Sequence, residues 1–294
     1  MNERYAAEPA SCDSALELKH LLEKFGPETG RYLADYPSKG WEKLVLDHIT
    51  NWKDIEQEKS KVVLRRAKES RKLIRNTKWI YCKQESWIRN IENTQAADYR
   101  FDGVVVSRSN AGQYSSLDEL DLPPTAEECV LARATEYARV AHEFIRMSPE
   151  LHFIDAYLNP CSADRRNVLS EMFRVASVGR CQFIGVWMRE SSLNTMFNAA
   201  CDAMTGIARH ANFTRPCKLF MYAFNDAGAS TKVHNRYLLG TLGAIRFEHG
   251  FQELTGKRTA DVAPVSKSIH DKLVSLYIDG ENDLKIEKCE IKLF

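Results

Sequence analysis

Beyond residue 150 the chain alternates between short apolar runs and amphipathic segments, and this alternation constrains the fold more than any other feature. Leu151-His-Phe-Ile-Asp-Ala-Tyr157 reads as a buried strand ending in a polar turn, Asn159-Pro-Cys-Ser162. A helix is predicted over 163–176, a strand over 181–187, a helix over 192–210 and a strand over 218–224. Apolar runs of this length are strands covered on both faces, and a helix between two of them brings the strands side by side in parallel. The expected class is therefore α/β, a layered domain with a mostly parallel central sheet. Residues 234–239 and 244–247 read as a hairpin around Gly240-Thr-Leu-Gly243.

The first 95 residues have a different texture and read as a helical region. Leu16, Leu18, Leu21, Leu22 and Phe25 form an apolar stripe at helical spacing that stops at Gly26-Pro27, and a second helix is predicted over 40–52. A third, from 59 to 78, carries nine basic residues against the single acid Glu69. The whole chain holds 41 basic and 40 acidic residues, a net charge of +1. A globally polybasic protein is excluded, so any affinity for nucleic acid must come from a local patch. Arg65, Arg66, Lys68, Arg71, Lys72 and Arg75 are the densest part of that run. They read either as phosphate contacts or as the solvated face of a helix over a core. Residues 96–150 read as a connecting strand (101–107), a polar loop and a long helix begun by Pro123-Pro124, with Thr125 and Glu128 spaced for a capping box. Residues 151–294 form the layered domain.

Several classes are excluded by what is missing. The sequence has no phosphate-binding Gly-rich loop, no dinucleotide fingerprint, no His-Glu-x-x-His and no Gly-x-Ser-x-Gly. The eight cysteines include no Cys-x-x-Cys pair, so neither a zinc site nor a disulfide framework is expected. No run approaches the roughly 18 apolar residues of a spanning helix. The first fourteen residues, with three acids, do not read as a signal peptide, and a cytoplasmic location is expected.

The segment Val233-His-Asn-Arg-Tyr-Leu-Leu-Gly240 is the most informative for chemistry. His234 and Arg236 stand two apart at the start of a predicted strand, which would set both on one face. A cation there can hold anionic oxygens while an imidazole attacks phosphorus or passes a proton. Asp155, at the carboxyl end of its strand, could orient the imidazole, and His249 could supply a second one. His152, in an apolar strand, reads as a hydrogen-bonded core histidine.

This segment resembles the His-x-Lys motif of the phospholipase D superfamily. More narrowly, it is similar to bacterial phospholipase-D-like proteins with a helical N-terminal region and a His-Asn-Arg-Tyr form of that motif. Phe153-Ile-Asp-Ala-Tyr157 stands where those proteins have Ile-Asp-Pro-Tyr, and Thr259-Ala-Asp-Val262 matches their Thr-x-Asp-Val. Trp87-Ile-Arg-Asn90 and Phe101-Asp-Gly-Val104 extend the likeness toward the N-terminus. The resemblance implies a metal-independent phosphodiesterase or nuclease, with no cofactor, in which His234 is the nucleophile and Arg236 the phosphate clamp. It also implies a place in phage defence or DNA processing. Two departures qualify it. Arg236 replaces the motif's lysine, and Thr241 falls where the motif's aspartate belongs. Because one motif supplies one histidine, the reaction would need a homodimer. The other reading is a catalytically inactive binding or scaffold subunit of a larger complex.

Overall fold

The structure, a computed structural model, describes residues 3–75, 79–97, 100–193, 196–230 and 232–292. They fall into two units, Glu3–Ala126 and a second beginning at Glu127.

In the first unit β1 (Glu3–Ala7) leads into α1 (Ala15–Glu23) and β2 (Arg31–Ala34). Then come α2 (Trp41–His48), α3 (Asp54–Glu69), β3 (Leu73–Ile74), α4 (Trp87–Ala96), β4 (Gly103–Val106) and β5 (Ser115–Ser116). The strands form one sheet in the order β3-β2-β1-β4-β5 with every pairing parallel. The helices expected in this region are present, but it is not helical throughout. The strands between them are two to five residues long and mostly buried, too short to show the alternation by which a strand is recognised. Helix α1 starts where Ser14 accepts a hydrogen bond from the Glu17 amide, and it buries Leu18, Leu21 and Leu22 against Phe25 and Trp41.

The basic run does not form one helix. Helix α3 ends at Glu69, and Arg71 turns the chain with a φ of 50°. Within α3 five basic residues (Lys59, Lys61, Arg65, Arg66, Lys68) face four acids (Asp54, Glu56, Glu58, Glu69), a net of +1. Three of the acids gather toward its N-terminus and the bases toward its C-terminus, the arrangement the helix dipole favours. Lys78 lies outside the described residues.

The second unit opens with β6 (Glu128–Leu131), α5 (Ala134–Val140), α6 (His142–Met147), β7 (Glu150–Ile154) and α7 (Ala163–Ser177). It continues through β8 (Phe183–Arg189), α8 (Phe197–Ala211), β9 (Lys218–Asn225), β10 (Tyr237–Gly240), β11 (Gly243–Phe247), β12 (Thr259–Pro264), α9 (Lys267–Tyr277) and β13 (Lys285–Ile291). Its eight-stranded sheet runs β13-β9-β8-β7-β10-β11-β12-β6. The central β7, β8 and β9 are parallel, as the helices between them require, and the flanking pairings are antiparallel. The long helix expected after Pro123-Pro124 is instead strand β6 followed by two short helices. Pairing with β12 at the sheet edge overrides the helical preference there.

One face of this sheet packs on α5, α7 and α8 through Phe153, Leu169, Met172, Phe173, Met204 and Phe247. The other carries Ile154, Trp187, Phe224 and Leu239 under Leu273 and Tyr277 of α9. Phe153 is fully buried, with its ring centroid 5.4 Å from Phe173 and 5.2 Å from Phe251. Phe153→Ala should lower stability by about 3–5 kcal/mol, the usual range for emptying an aromatic core position. Urea denaturation of the purified chain measures it.

Candidate functional site

The carboxyl end of β7 delivers Asp155 into a place where three segments converge. Its side chain is nearly inaccessible. Oδ1 accepts the Tyr157 amide at 2.9 Å, and Oδ2 accepts the Phe251 amide at 3.2 Å. Arg236, entering β10, places Nε 3.8 Å from Oδ1, an ion pair beyond hydrogen-bonding reach, and its Nη1 donates to the Glu248 carbonyl at 3.1 Å. Arg236 Nε makes no hydrogen bond among the described residues. Gly250 completes the enclosure at φ +72°. A Cβ there would stand 2.1 Å from Asp155 Oδ2 and 3.0 Å from Arg236 Cγ, so only glycine lets the carboxylate and this turn approach so closely.

The Arg236 guanidinium lies over the Tyr157 ring at 5.1 Å, and that of Arg189 lies 5.7 Å from the same centroid. Arg189 also grips Asp226 with two hydrogen bonds of 3.1 and 2.8 Å and donates to the Val233 carbonyl at 2.9 Å. Beside Arg236 opens a cleft of about 330 Å³ lined by Asn235, Arg236, Arg246, Phe247, Glu248 and Asp261. It offers two guanidiniums and an amide to an anionic oxygen, with two carboxylates at the same surface.

The predicted site residues are placed unevenly. Asp155 and Arg236 come together as described. His234 is exposed and precedes β10, so the alternation of a strand does not align it with Arg236. Asp155 is committed to Arg236 and two backbone amides, and His234 is not among its partners in the described residues. His249 sits in the turn after β11, partly exposed, with Nε2 3.6 Å from Glu248 Oε2. Thr241 occupies the turn joining β10 to β11, at the far end of β10 from His234. His152 is the core histidine expected. Its Nδ1 accepts from Trp187 Nε1 at 3.0 Å, which leaves Nε2 as donor to Glu150 at 2.9 Å.

The six cations of the candidate nucleic-acid surface also separate. Arg65 and Arg66 are exposed on α3, and Lys68 reaches Glu42 at 3.3 Å. Lys72 is mostly covered, bonded to the Phe25 carbonyl and to Glu28. Arg75 pairs with the buried Asp35 at 2.7 Å, and Arg71 lies in the turn after the helix. The local excess of charge in the sequence is therefore partly consumed inside the fold.

Sequence reasoning passed over Arg189, Asp226 and Arg246, and it gave Tyr157 no role. A signal for Arg189 was present: a charged residue at the carboxyl end of a buried strand, where open α/β sheets place functional groups. Asp226 and Arg246 become recognisable only once the strands are paired.

No family model matches the chain, and no curated protein matches it. Among solved structures it is similar to a phospholipase D family member, Nuc from Salmonella typhimurium, at 10% identity over 54% of this chain and 97% of that one, with a TM-score of 0.35. It is also similar to TrmBL2, an archaeal chromatin protein whose structure shows a novel mode of DNA binding, at 8% identity over 55% of each chain, with a TM-score of 0.30. Among the described residues no cluster of three or more His, Cys, Asp or Glu could hold a metal ion, and no helix is long and apolar enough to cross a membrane.

Burial pushes the Asp155 carboxyl above its usual range, while the two backbone amides, Arg236 and Arg165 oppose the shift. The folded chain thus holds this proton to higher pH than the unfolded chain does. Charged Asp155 weakens folding above the raised value, and the penalty fades as pH falls toward about 3.9. Asp155→Asn should therefore abolish a rise in stability between neutral pH and about pH 4, read from urea midpoints across that range.

Proposed function

We propose that the second unit is a phospholipase-D-like module that binds a phosphodiester through Arg236 and attacks it with His234. The observation that carries this reading is the partly exposed Arg236 guanidinium. It is backed by a buried carboxylate toward which its buried Nε is turned, and it opens on a cleft shared with Arg246 and Asn235. Such a guanidinium is pre-oriented as a planar fork for phosphate oxygens. The exposed imidazole of His234 lies two residues away and can form the covalent phosphohistidine of this reaction class. A second copy of the chain would supply the histidine that protonates the leaving group, which makes an isologous homodimer the working assembly. The substrate class is nucleic acid, with Arg65 and Arg66 of α3 as the cations open to phosphate contact. A cytoplasmic role in phage defence or DNA processing accords with this chemistry.

Bis-p-nitrophenyl phosphate tests the chemistry. Turnover should persist in excess EDTA and disappear in His234→Ala, and Arg236→Ala should raise KM. Activity lost to EDTA but retained in His234→Ala overturns the mechanism. The helix has its own test on duplex DNA. Changing Arg65 and Arg66 to Gln should reduce the slope of log affinity against log salt by about 1.8, or about 0.9 for each phosphate no longer neutralised. An unchanged slope assigns these arginines to solvent.

One observation favours a second reading, a non-catalytic phosphate-binding subunit. Thr241, in the position of the motif's aspartate, cannot ionise and sits in a turn remote from His234. Phosphate binding without turnover in the wild-type protein decides for it.

A further inference from the structure

The segment between β9 and β10 carries His234, and its described residues belong to no helix or strand. Its fixed points are few. The Asp226 carbonyl accepts Lys232 Nζ at 2.6 Å and the Ala229 amide at 3.3 Å, and the Ser230 amide donates to Asp283 at 2.6 Å. Gly228 turns the chain at φ +80°. Val233 is buried against the sheet. Both ends of the segment are also held by one side chain from another strand. Arg189, at the carboxyl end of β8, bonds the Asp226 carboxylate in bidentate fashion at its start, and the Val233 carbonyl, immediately before His234, at its end. Arg189 is itself fixed, since its amide donates to the Ala156 carbonyl at 3.1 Å, between Asp155 and Tyr157. Its side chain is only 17% exposed, and that of Asp226 only 13%.

We infer that Arg189 is a positioning residue. It spans from the β7 exit, where Asp155 and Tyr157 stand, to the segment that presents His234, and so sets the imidazole relative to Arg236. This rests on the reading of His234 and Arg236 as the phosphate site. A guanidinium suits the task because its planar fork satisfies both carboxylate oxygens and has a donor left for the carbonyl. Lysine offers a point charge with no such fork, so it can keep the ion pair and still release Val233.

The test uses the 294-residue chain, inorganic phosphate as probe and the His234 ring signal followed by NMR through a pH titration. In the wild-type chain phosphate should raise the His234 midpoint, since a bound anion favours the imidazolium. In Arg189→Ala that phosphate-induced shift should vanish and phosphodiester turnover should fall about 10²-fold, the scale set by a misplacement near 1 Å. Arg189→Lys should restore part of the shift. The double variant Arg189→Ala/Asp226→Ala removes the stranded carboxylate and keeps the test valid if the single variant folds poorly. A phosphate-induced shift of wild-type size in either alanine variant overturns the inference. If wild-type His234 shows no phosphate response, the phosphate-site reading itself fails. Amide exchange over 227–235 then decides the anchoring: acceleration in the variants upholds Arg189 as the anchor, and unchanged exchange removes it.

Discussion

A buried carboxylate cannot stand alone in a protein interior, and the candidate site is organised around that constraint. Asp155 leaves β7 with its side chain turned inward, so its charge must be met by donors that the fold brings to it. Two are backbone amides, one from its own turn at Tyr157 and one from Phe251 beyond β11, nearly a hundred residues later in the chain. The third partner is the Arg236 guanidinium. Satisfying one acid therefore ties together the exit of β7, the entry to β10 and the loop after β11. The glycine at 250 is the steric condition for that closure.

The same requirement gathers the candidate site residues at one end of the sheet. The central parallel strands β7 and β8 end at this edge, and the antiparallel β10 begins there. Side chains at these ends are not consumed by the hydrophobic layers, which take Phe153, Val186 and Leu238 on one face and Ile154, Trp187 and Leu239 on the other a few residues away. Asp155, Arg189, His234 and Arg236 are the polar continuations of apolar strands, and the packed layers behind them supply rigidity. Charge is balanced locally, because Arg189 has Asp226, Arg236 has Asp155, and Glu248 and Asp261 share the cleft with Arg246.

The cations of the first unit make the complementary point. A run of nine basic residues within twenty reads as a surface for phosphate, and charge runs are exposed more often than not. Folding spends part of that run. Lys72 caps a carbonyl beside Glu28, and Arg75 neutralises the buried Asp35 that follows β2. The exposed remainder on α3 is nearly matched by acids in the same helix, and its cations gather at the C-terminal end of the dipole.

The sequence by itself determined the α/β class, the parallel core strands and the helices between them. These follow from local periodicity, which a chain carries whether or not it is folded. It also singled out Asp155, His234 and Arg236, because charged residues at the ends of apolar runs are legible locally. The five short strands of the first unit were not legible, since two to five buried residues do not establish a period. The strand at Glu128–Leu131 was hidden for another reason, as it exists only through pairing with β12. Tertiary structure alone decided that Asp155 serves Arg236 rather than His234, and that Arg189 holds the segment before His234. Both depend on bonds between residues 37 to 96 positions apart, and sequence spacing carries no information about which distant donor will satisfy a buried charge.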